Sequence, residues 1–124
     1  MLIIGHKDIE SERLYLVSSI SDIEKTPSNS TIFIEYYNLD ILKFAKENGL
    51  SVAIEVQTIQ EAILSENFDV KYIISEIDLA SKIQKIADNY LYDSKIVTWI
   101  KDESELEKVA EYQIDGAIFN RELK

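Results

Sequence analysis

Three glutamates and one histidine are the residues of this chain whose types and spacing could do chemistry. Glu35, Glu55 and Glu76 each close a short run of β-forming residues, and His6 is the only imidazole. Because parallel strands present their carboxyl ends at one edge of a sheet, the spacing predicts that the three acids lie on neighbouring strands there. Carboxylates brought together in this way bind a cation such as Mg²⁺ or Ca²⁺, or shift their pKa values and act as acid and base.

A structural role explains the same residues. Asn38, Thr58 and Asp78 follow the three glutamates as predicted helix caps, so each acid could lean over a helix N-terminus and complement its dipole and free N–H groups. We favour this alternative, because acids with perturbed environments are common in structural networks as well. His6 has an equivalent alternative at a strand end. All four stay candidates for a ligand or metal site, and no catalytic residue is assigned.

The elements that must position these residues form a βα repeat of about 20 residues per unit. The predicted strands are Met1–Ile4, Arg13–Ser18, Thr31–Glu35, Ser51–Val56, Lys71–Ile77, Lys95–Ile100 and Ala117–Phe119. The predicted helix caps are Asn38 and Asp78, together with capping boxes that begin at Ser21, Thr58 and Asp102. Repeated βα units demand parallel strands with right-handed crossovers.

The two faces of the glutamate-tipped strands differ in composition. One face carries Ile32, Ile34, Val52, Ile54, Val56, Ile73 and Ile77, and the other carries Thr31, Phe33, Glu35, Ser51, Ala53, Glu55, Tyr72, Ile74 and Glu76. The aliphatic face should lie under the helices, which leaves a smaller and more polar concave face without them. This asymmetry predicts one α/β domain over 1–124 with a half (β/α)8-barrel-like parallel sheet. A doubly wound, flavodoxin-like sheet is the alternative, because a register error of one residue would exchange the faces.

Composition narrows the classes of partner. The 124 residues carry a formal charge of −10 and no Cys, and no basic cluster is interleaved with aromatic residues. We therefore expect no nucleic-acid or membrane partner, no thiolate metal site, and a cytoplasmic protein. Aromatic residues on an uncovered inner face would suit a homodimer, and the acidic edge would suit a small-molecule ligand. Gly-rich phosphate-binding loops are absent from the sequence.

The last unit, from Ile96 to Arg121, resembles the closing βαβ unit of the glycerophosphodiester phosphodiesterase family. Trp99 and the pair Asp115-Gly116 match that family's pattern, whereas Lys101-Asp102 and Asn120-Arg121 depart from it. The resemblance implies a fold derived from a barrel. It argues against phosphodiesterase activity, since the family's metal-binding E-x-D motif would fall at 55–57, where Gln57 replaces the Asp, and a second histidine is missing. The whole chain also resembles a family of small epsilonproteobacterial proteins, which implies no function.

These observations lead to two hypotheses from different classes. The first is a non-enzymatic α/β domain of a bacterial cytoplasmic protein that binds a small ligand or assembles with itself. The alternative is a metal-assisted, phosphodiesterase-like hydrolase that uses Mg²⁺ or Ca²⁺ at Glu35, Glu55 and Glu76 together with His6. The first hypothesis leads because the alternative lacks the catalytic pairs that its chemistry requires.

Overall fold

The computed structural model describes residues 1–119, which form one seven-stranded sheet with five α-helices. The strands are β1 (Leu2–Ile4), β2 (Leu14–Leu16), β3 (Thr31–Ile34), β4 (Ser51–Glu55), β5 (Tyr72–Ser75), β6 (Lys95–Ile100) and β7 (Gly116–Phe119). The helices are α1 (Ile20–Ile23), α2 (Leu39–Glu47), α3 (Ile59–Glu66), α4 (Ile77–Tyr90) and α5 (Leu106–Glu111), and a 3₁₀ turn (Glu103–Glu105) precedes α5. In this described part of the chain, every helix is too short or too polar to span a bilayer.

The sheet is parallel throughout and confirms the half-barrel prediction. Its strand order is β1-β7-β6-β5-β4-β3-β2, so β2 to β7 follow one another in chain order and β1 is added beside β7. The doubly wound alternative is wrong, because the strand order does not reverse within this run. The helices also bury their apolar residues in a single cluster with one face of the sheet. That cluster includes Ile41, Leu42, Ala62, Ile83, Ala87 and Val109.

The cluster on the inner face of the sheet contains no helix residue among residues 1–119, as predicted, but its side chains are buried and not exposed as expected. Its cluster consists of Ile4, Leu14, Phe33, Ala53, Tyr72, Ile74, Val97, Trp99 and Ile118. The sheet curls so strongly that side chains from distant strands meet. Phe33 of β3 and Trp99 of β6 make an edge-to-face contact with ring centroids 6.0 Å apart, although strands three positions apart in a flat sheet are separated by roughly 14 Å. The two edge strands contribute Ile4 and Leu14 to the same cluster.

Gly116 allows β1 to lie close to β7. A Cβ atom at this position would lie 2.7 Å from the backbone carbonyl oxygen of Leu2, so any side chain would push the two strands apart. Packing therefore explains the glycine of the Asp115-Gly116 pair, independently of any functional site. Asp115 links the start of β7 to β6 on the other side, because its carboxylate accepts the backbone N–H of Ile96 at 2.9 Å.

Three predicted helix caps are confirmed. The side chains of Asn38 and Thr58 each accept a backbone N–H three residues further on, at 3.1 Å. Asp102 and Glu105 form the predicted capping box with both of its reciprocal hydrogen bonds. The end of α2 is also as expected, since Gly49 adopts the left-handed conformation with φ +64.

Two predicted caps are wrong by two residues each. The first helix is capped by Ser19, not Ser21, because the carboxylate of Asp22 reaches back to Ser18 and closes the turn earlier. The longest helix is capped by Glu76 and not Asp78, because β5 ends at Ser75 and Ile77 is already helical. Asp78 lies in the first turn of that helix, where its charge still complements the dipole.

Candidate functional site

The structure separates the four candidate residues. His6 and Glu76 line one pocket at the carboxyl-terminal edge of the sheet. Glu35 lines a different and much smaller cavity, together with Ser18 and other residues at the ends of β2 and β3. Glu55 is the last residue of β4 and lies between these two positions in the sheet. The predicted common edge is therefore real, but the three acids do not share one cavity.

A stagger between β4 and β5 adds to the distance between Glu55 and Glu76. Ile34 pairs with Ile54, so Glu35, which follows β3, and Glu55, which ends β4, are at the same level of the sheet. Glu55 pairs with Ile74, however, so Glu76 lies two residues further along its strand. Two residues of strand rise and one strand spacing place the Cα atoms of Glu55 and Glu76 roughly 8 Å apart. Among residues 1–119 no group of three or more His, Cys, Asp or Glu side chains is arranged to hold a metal ion.

The pocket that contains His6 and Glu76 is formed by the ends of β5, β6 and β7 and by the loop that follows β1. Its volume is about 690 Å³, which is within the range of roughly 300–1,000 Å³ found for small-molecule sites. Trp99 and Phe119 supply aromatic surface, and Lys7 and Lys101 supply positive charge. The lysines and aromatics were not predicted as site residues, although the sequence places Trp99 and Lys101 at the end of a predicted strand.

His6 is held in one orientation by hydrogen bonds to both ring nitrogens. Nδ1 accepts the backbone N–H of Asp8 at 3.0 Å, and Nε2 lies 2.7 Å from a carboxylate oxygen of Glu103. Because Nδ1 is an acceptor, the proton of the neutral ring belongs on Nε2, which donates to Glu103. The imidazole also makes an edge-to-face contact with Phe119. In this arrangement both ring nitrogens are engaged in hydrogen bonds, and His6 links the loop after β1 to the turn after β6.

The other acids beside the pocket also accept internal hydrogen bonds. Glu105 accepts the backbone N–H groups of Lys101 and Asp102, and Asp102 accepts both the backbone N–H and the hydroxyl of Ser104. The hydrogen bonds from Ser104 lower the pKa of the Asp102 carboxyl below its ordinary value. These hydrogen bonds order the turn between β6 and α5.

A second polar cluster lies at the opposite, amino-terminal ends of the strands. Residues 5–13, which we call the strap, lead from the carboxyl end of β1 to the start of β2, from one edge strand to the other. Near the end of the strap, Glu12 accepts hydrogen bonds from the hydroxyls of Tyr72 and Thr31, the latter at 2.7 Å. Lys71 lies 2.7 Å from the same carboxylate, and Ser51 lies 2.9 Å from the Thr31 hydroxyl.

This amino-terminal cluster changes the acidity of its members. Burial alone would raise the pKa of the Glu12 carboxyl, but hydrogen bonds from Lys71, Tyr72 and Thr31, with the charge of Lys71, bring it below its ordinary value. Burial and the Glu12 charge raise the pKa of the Tyr72 hydroxyl. Sequence reasoning missed the cluster. A signal was present, because Thr31 and Ser51 put hydroxyls at the starts of adjacent strands on the face that points inward.

Comparisons with known proteins add no functional assignment. The resemblance of the last unit to the phosphodiesterase family therefore rests on its residues alone, and Asn120-Arg121 lie outside the described part of the chain. Trp99 and Gly116 have roles in this structure that do not depend on that family, since one lines the pocket and the other allows β1 to approach β7. No family model matches the chain, and no curated protein matches it either.

Proposed function

We propose that this α/β domain binds a small organic molecule in the pocket at the carboxyl-terminal edge, without catalysing a reaction. The observation that carries the proposal is the pocket itself, which joins aromatic surface from Trp99 and Phe119 to charged side chains at the ends of adjacent strands. Parallel α/β sheets commonly bind ligands outside the carboxyl ends of their strands.

The alternative of a metal-assisted, phosphodiesterase-like hydrolase has weaker support. It needs a base or a metal ligand at His6, whose two ring nitrogens are engaged by Asp8 and Glu103. It also needs Glu35, Glu55 and Glu76 around one cation, and no group of three or more His, Cys, Asp or Glu side chains within residues 1–119 is arranged to hold a metal ion. A binding domain requires neither condition.

The expected partners follow from the same proposal. The homodimer was expected to form through an uncovered inner face, but Phe33, Tyr72 and Trp99 of that face are buried within one chain. A dimer would therefore need another surface and is not part of the proposal. The net charge of −10 disfavours nucleic acid and anionic membranes as partners, and we place the protein in the cytoplasm.

The single tryptophan makes the binding proposal directly testable. Trp99 lines the pocket, so a fragment that binds there should change its fluorescence and move its one indole N–H resonance in NMR spectra. A screen of small aromatic acids, amines and neutral compounds should yield compounds that do both.

Two matched variants would show where on the protein such a compound binds. Glu76→Phe narrows the pocket from an exposed position, whereas Asp93→Phe makes a comparable change beside a cavity at the amino-terminal end. Binding should weaken in Glu76→Phe and be unchanged in Asp93→Phe. If no compound perturbs Trp99, or if Asp93→Phe is the variant that loses binding, the pocket is not the binding site and the proposal fails.

A further inference from the structure

Two cationic side chains line the carboxyl-terminal pocket without a partner of their own in the described structure. Lys7 belongs to the strap, and Lys101 directly follows β6. Within residues 1–119 neither ammonium group forms an ion pair, whereas Lys46 and Lys71 are paired with Asp69 and Glu12. A ligand oxygen that reached these two lysines would add charge-assisted hydrogen bonds without breaking any internal ion pair.

The acids beside the pocket are in a different situation. Glu103 accepts from His6, Glu105 accepts two backbone N–H groups, and Asp102 accepts from Ser104. Each of these hydrogen bonds falls on one oxygen of its carboxylate and offsets part of the negative charge of that acid. The two lysines, in contrast, have no internal ion-pair partner within residues 1–119, which favours a ligand that accepts hydrogen bonds from them.

The aromatic side chains that line the pocket indicate the chemical character of the rest of the ligand. Trp99 and Phe119 both line the pocket, and Ile100 lies between the lysine and the tryptophan in sequence. Trp99 is only 6% exposed and Phe119 is half-buried, so a flat apolar group would contact Phe119 and the small part of Trp99 that is accessible. The ligand should therefore combine a planar apolar body with an acceptor group at one end.

The charge balance of the wall limits how much negative charge that acceptor can carry. Glu76, Asp102, Glu103 and Glu105 line the pocket together with only two lysines. Repulsion from these carboxylates grows with the charge of the ligand, so a dianion is penalised about twice as much as a monoanion. A carboxylate satisfies both lysines at the lower electrostatic cost, whereas a phosphate dianion does not.

We propose that the pocket binds small aromatic carboxylates, with the carboxylate between Lys7 and Lys101 and the ring against Trp99 and Phe119. This proposal rests on the binding function proposed above, because it names the ligand class of the same pocket. It assigns Lys7 and Lys101 as the residues that determine specificity for the charge of the ligand.

Four probes with one ring and different charges test the ligand class. Benzoate, phenyl phosphate, benzyl alcohol and benzylamine are titrated separately against the whole chain, and the indole resonance of Trp99 reports binding. Benzoate should bind most tightly. Lys101→Gln should weaken benzoate binding by about tenfold, the usual scale for losing a charged hydrogen bond, and should leave benzyl alcohol unaffected.

Lys85→Gln is the matched control, since it removes the same charge from an exposed position on α4 outside the pocket. It should bind benzoate as the unmodified chain does. Tighter binding of benzylamine, benzyl alcohol or phenyl phosphate would overturn the ligand class while leaving a binding pocket in place. An equal loss in Lys85→Gln and Lys101→Gln would overturn the assignment of Lys101, because only the net charge would then matter. If none of the four probes moves Trp99, the ligand class is rejected; if the wider fragment screen also fails, the proposed function falls with it.

Discussion

The two ends of the curled sheet differ in what their polar side chains contact. At the amino-terminal end, Glu12 accepts hydrogen bonds from Thr31 and Tyr72 and forms an ion pair with Lys71. The polar groups of that cluster therefore have their partners within the protein. At the carboxyl-terminal end, the acids are bonded internally but Lys7 and Lys101 face a pocket. Polarity alone therefore does not mark a site. A mutually satisfied cluster contributes to the fold, whereas donors left beside an apolar wall can serve a ligand.

The strap makes this comparison measurable, because each end of the sheet holds it by one acid. Glu12 belongs to the strap and bonds to residues at the starts of the strands, while Glu103 lies outside the strap and bonds to His6 within it. The surroundings of the two acids differ, since the Glu12 side chain is 30% exposed and the Glu103 side chain 70% exposed. The same substitution at both positions should therefore have unequal costs.

Glu12→Ala should have the larger effect and lower the free energy of unfolding by about 2 kcal/mol, because it leaves the Tyr72 hydroxyl without its acceptor in a mostly buried position. Urea unfolding with an unchanged m-value would measure this loss. Glu12→Gln is the control, since its amide oxygen can still accept from Tyr72, and it should lose less. An alanine variant as stable as the unmodified chain would mean that the amino-terminal cluster does not hold the strap.

The pH dependence of the free energy of unfolding should show how much the charge of Glu12 contributes to the amino-terminal cluster. The folded pKa of Glu12 lies below its ordinary value of 4.5, so its ionised form stabilises the fold fully above that pH. This contribution is lost as the pH falls through the lowered pKa. The stability difference between the unmodified chain and Glu12→Gln should therefore be largest near neutral pH and shrink below pH 4.5. A difference that stays constant from neutral pH into acid would show that the charge of Glu12 contributes nothing.

Much of the fold could be predicted from the sequence because its signals are local. Strand β6 has the predicted bounds, and Asn38, Thr58 and Asp102 cap helices as their spacing indicates. Alternation also assigned the two faces of the sheet correctly, since Ile32 and Phe33 fall in different clusters. These features depend on neighbours a few residues away.

The remaining features depend on contacts between distant residues. The stagger that separates Glu55 from Glu76 is a property of strand pairing and leaves no trace in either strand. The burial of the inner face depends on curvature, which brings Phe33 to Trp99 across the sheet. The link between His6 and Glu103 joins residues 97 positions apart in sequence. Whether the acids meet could therefore not be predicted from the sequence, because each of these features depends on contacts between residues far apart in the chain.

The smallest loss of stability is expected at the carboxyl-terminal end, for a substitution of Glu103. Its size tests whether the two ends of the sheet hold the strap with different strength. Glu103→Ala removes the acceptor of the His6 Nε2–H, but the Glu103 side chain is 70% exposed, so water can replace the lost carboxylate. Exposed contacts of this kind contribute about 0–1 kcal/mol, and the variant should lose about 0.5 kcal/mol in urea unfolding. Asp8 still donates to Nδ1, so nitrogen-detected NMR should show the imidazole proton on Nε2 in this variant as in the unmodified chain. A loss as large as that of Glu12→Ala would mean that both ends fasten the strap equally. The pocket end would then be as much a part of the folding framework as the amino-terminal cluster, and the contrast between them would disappear.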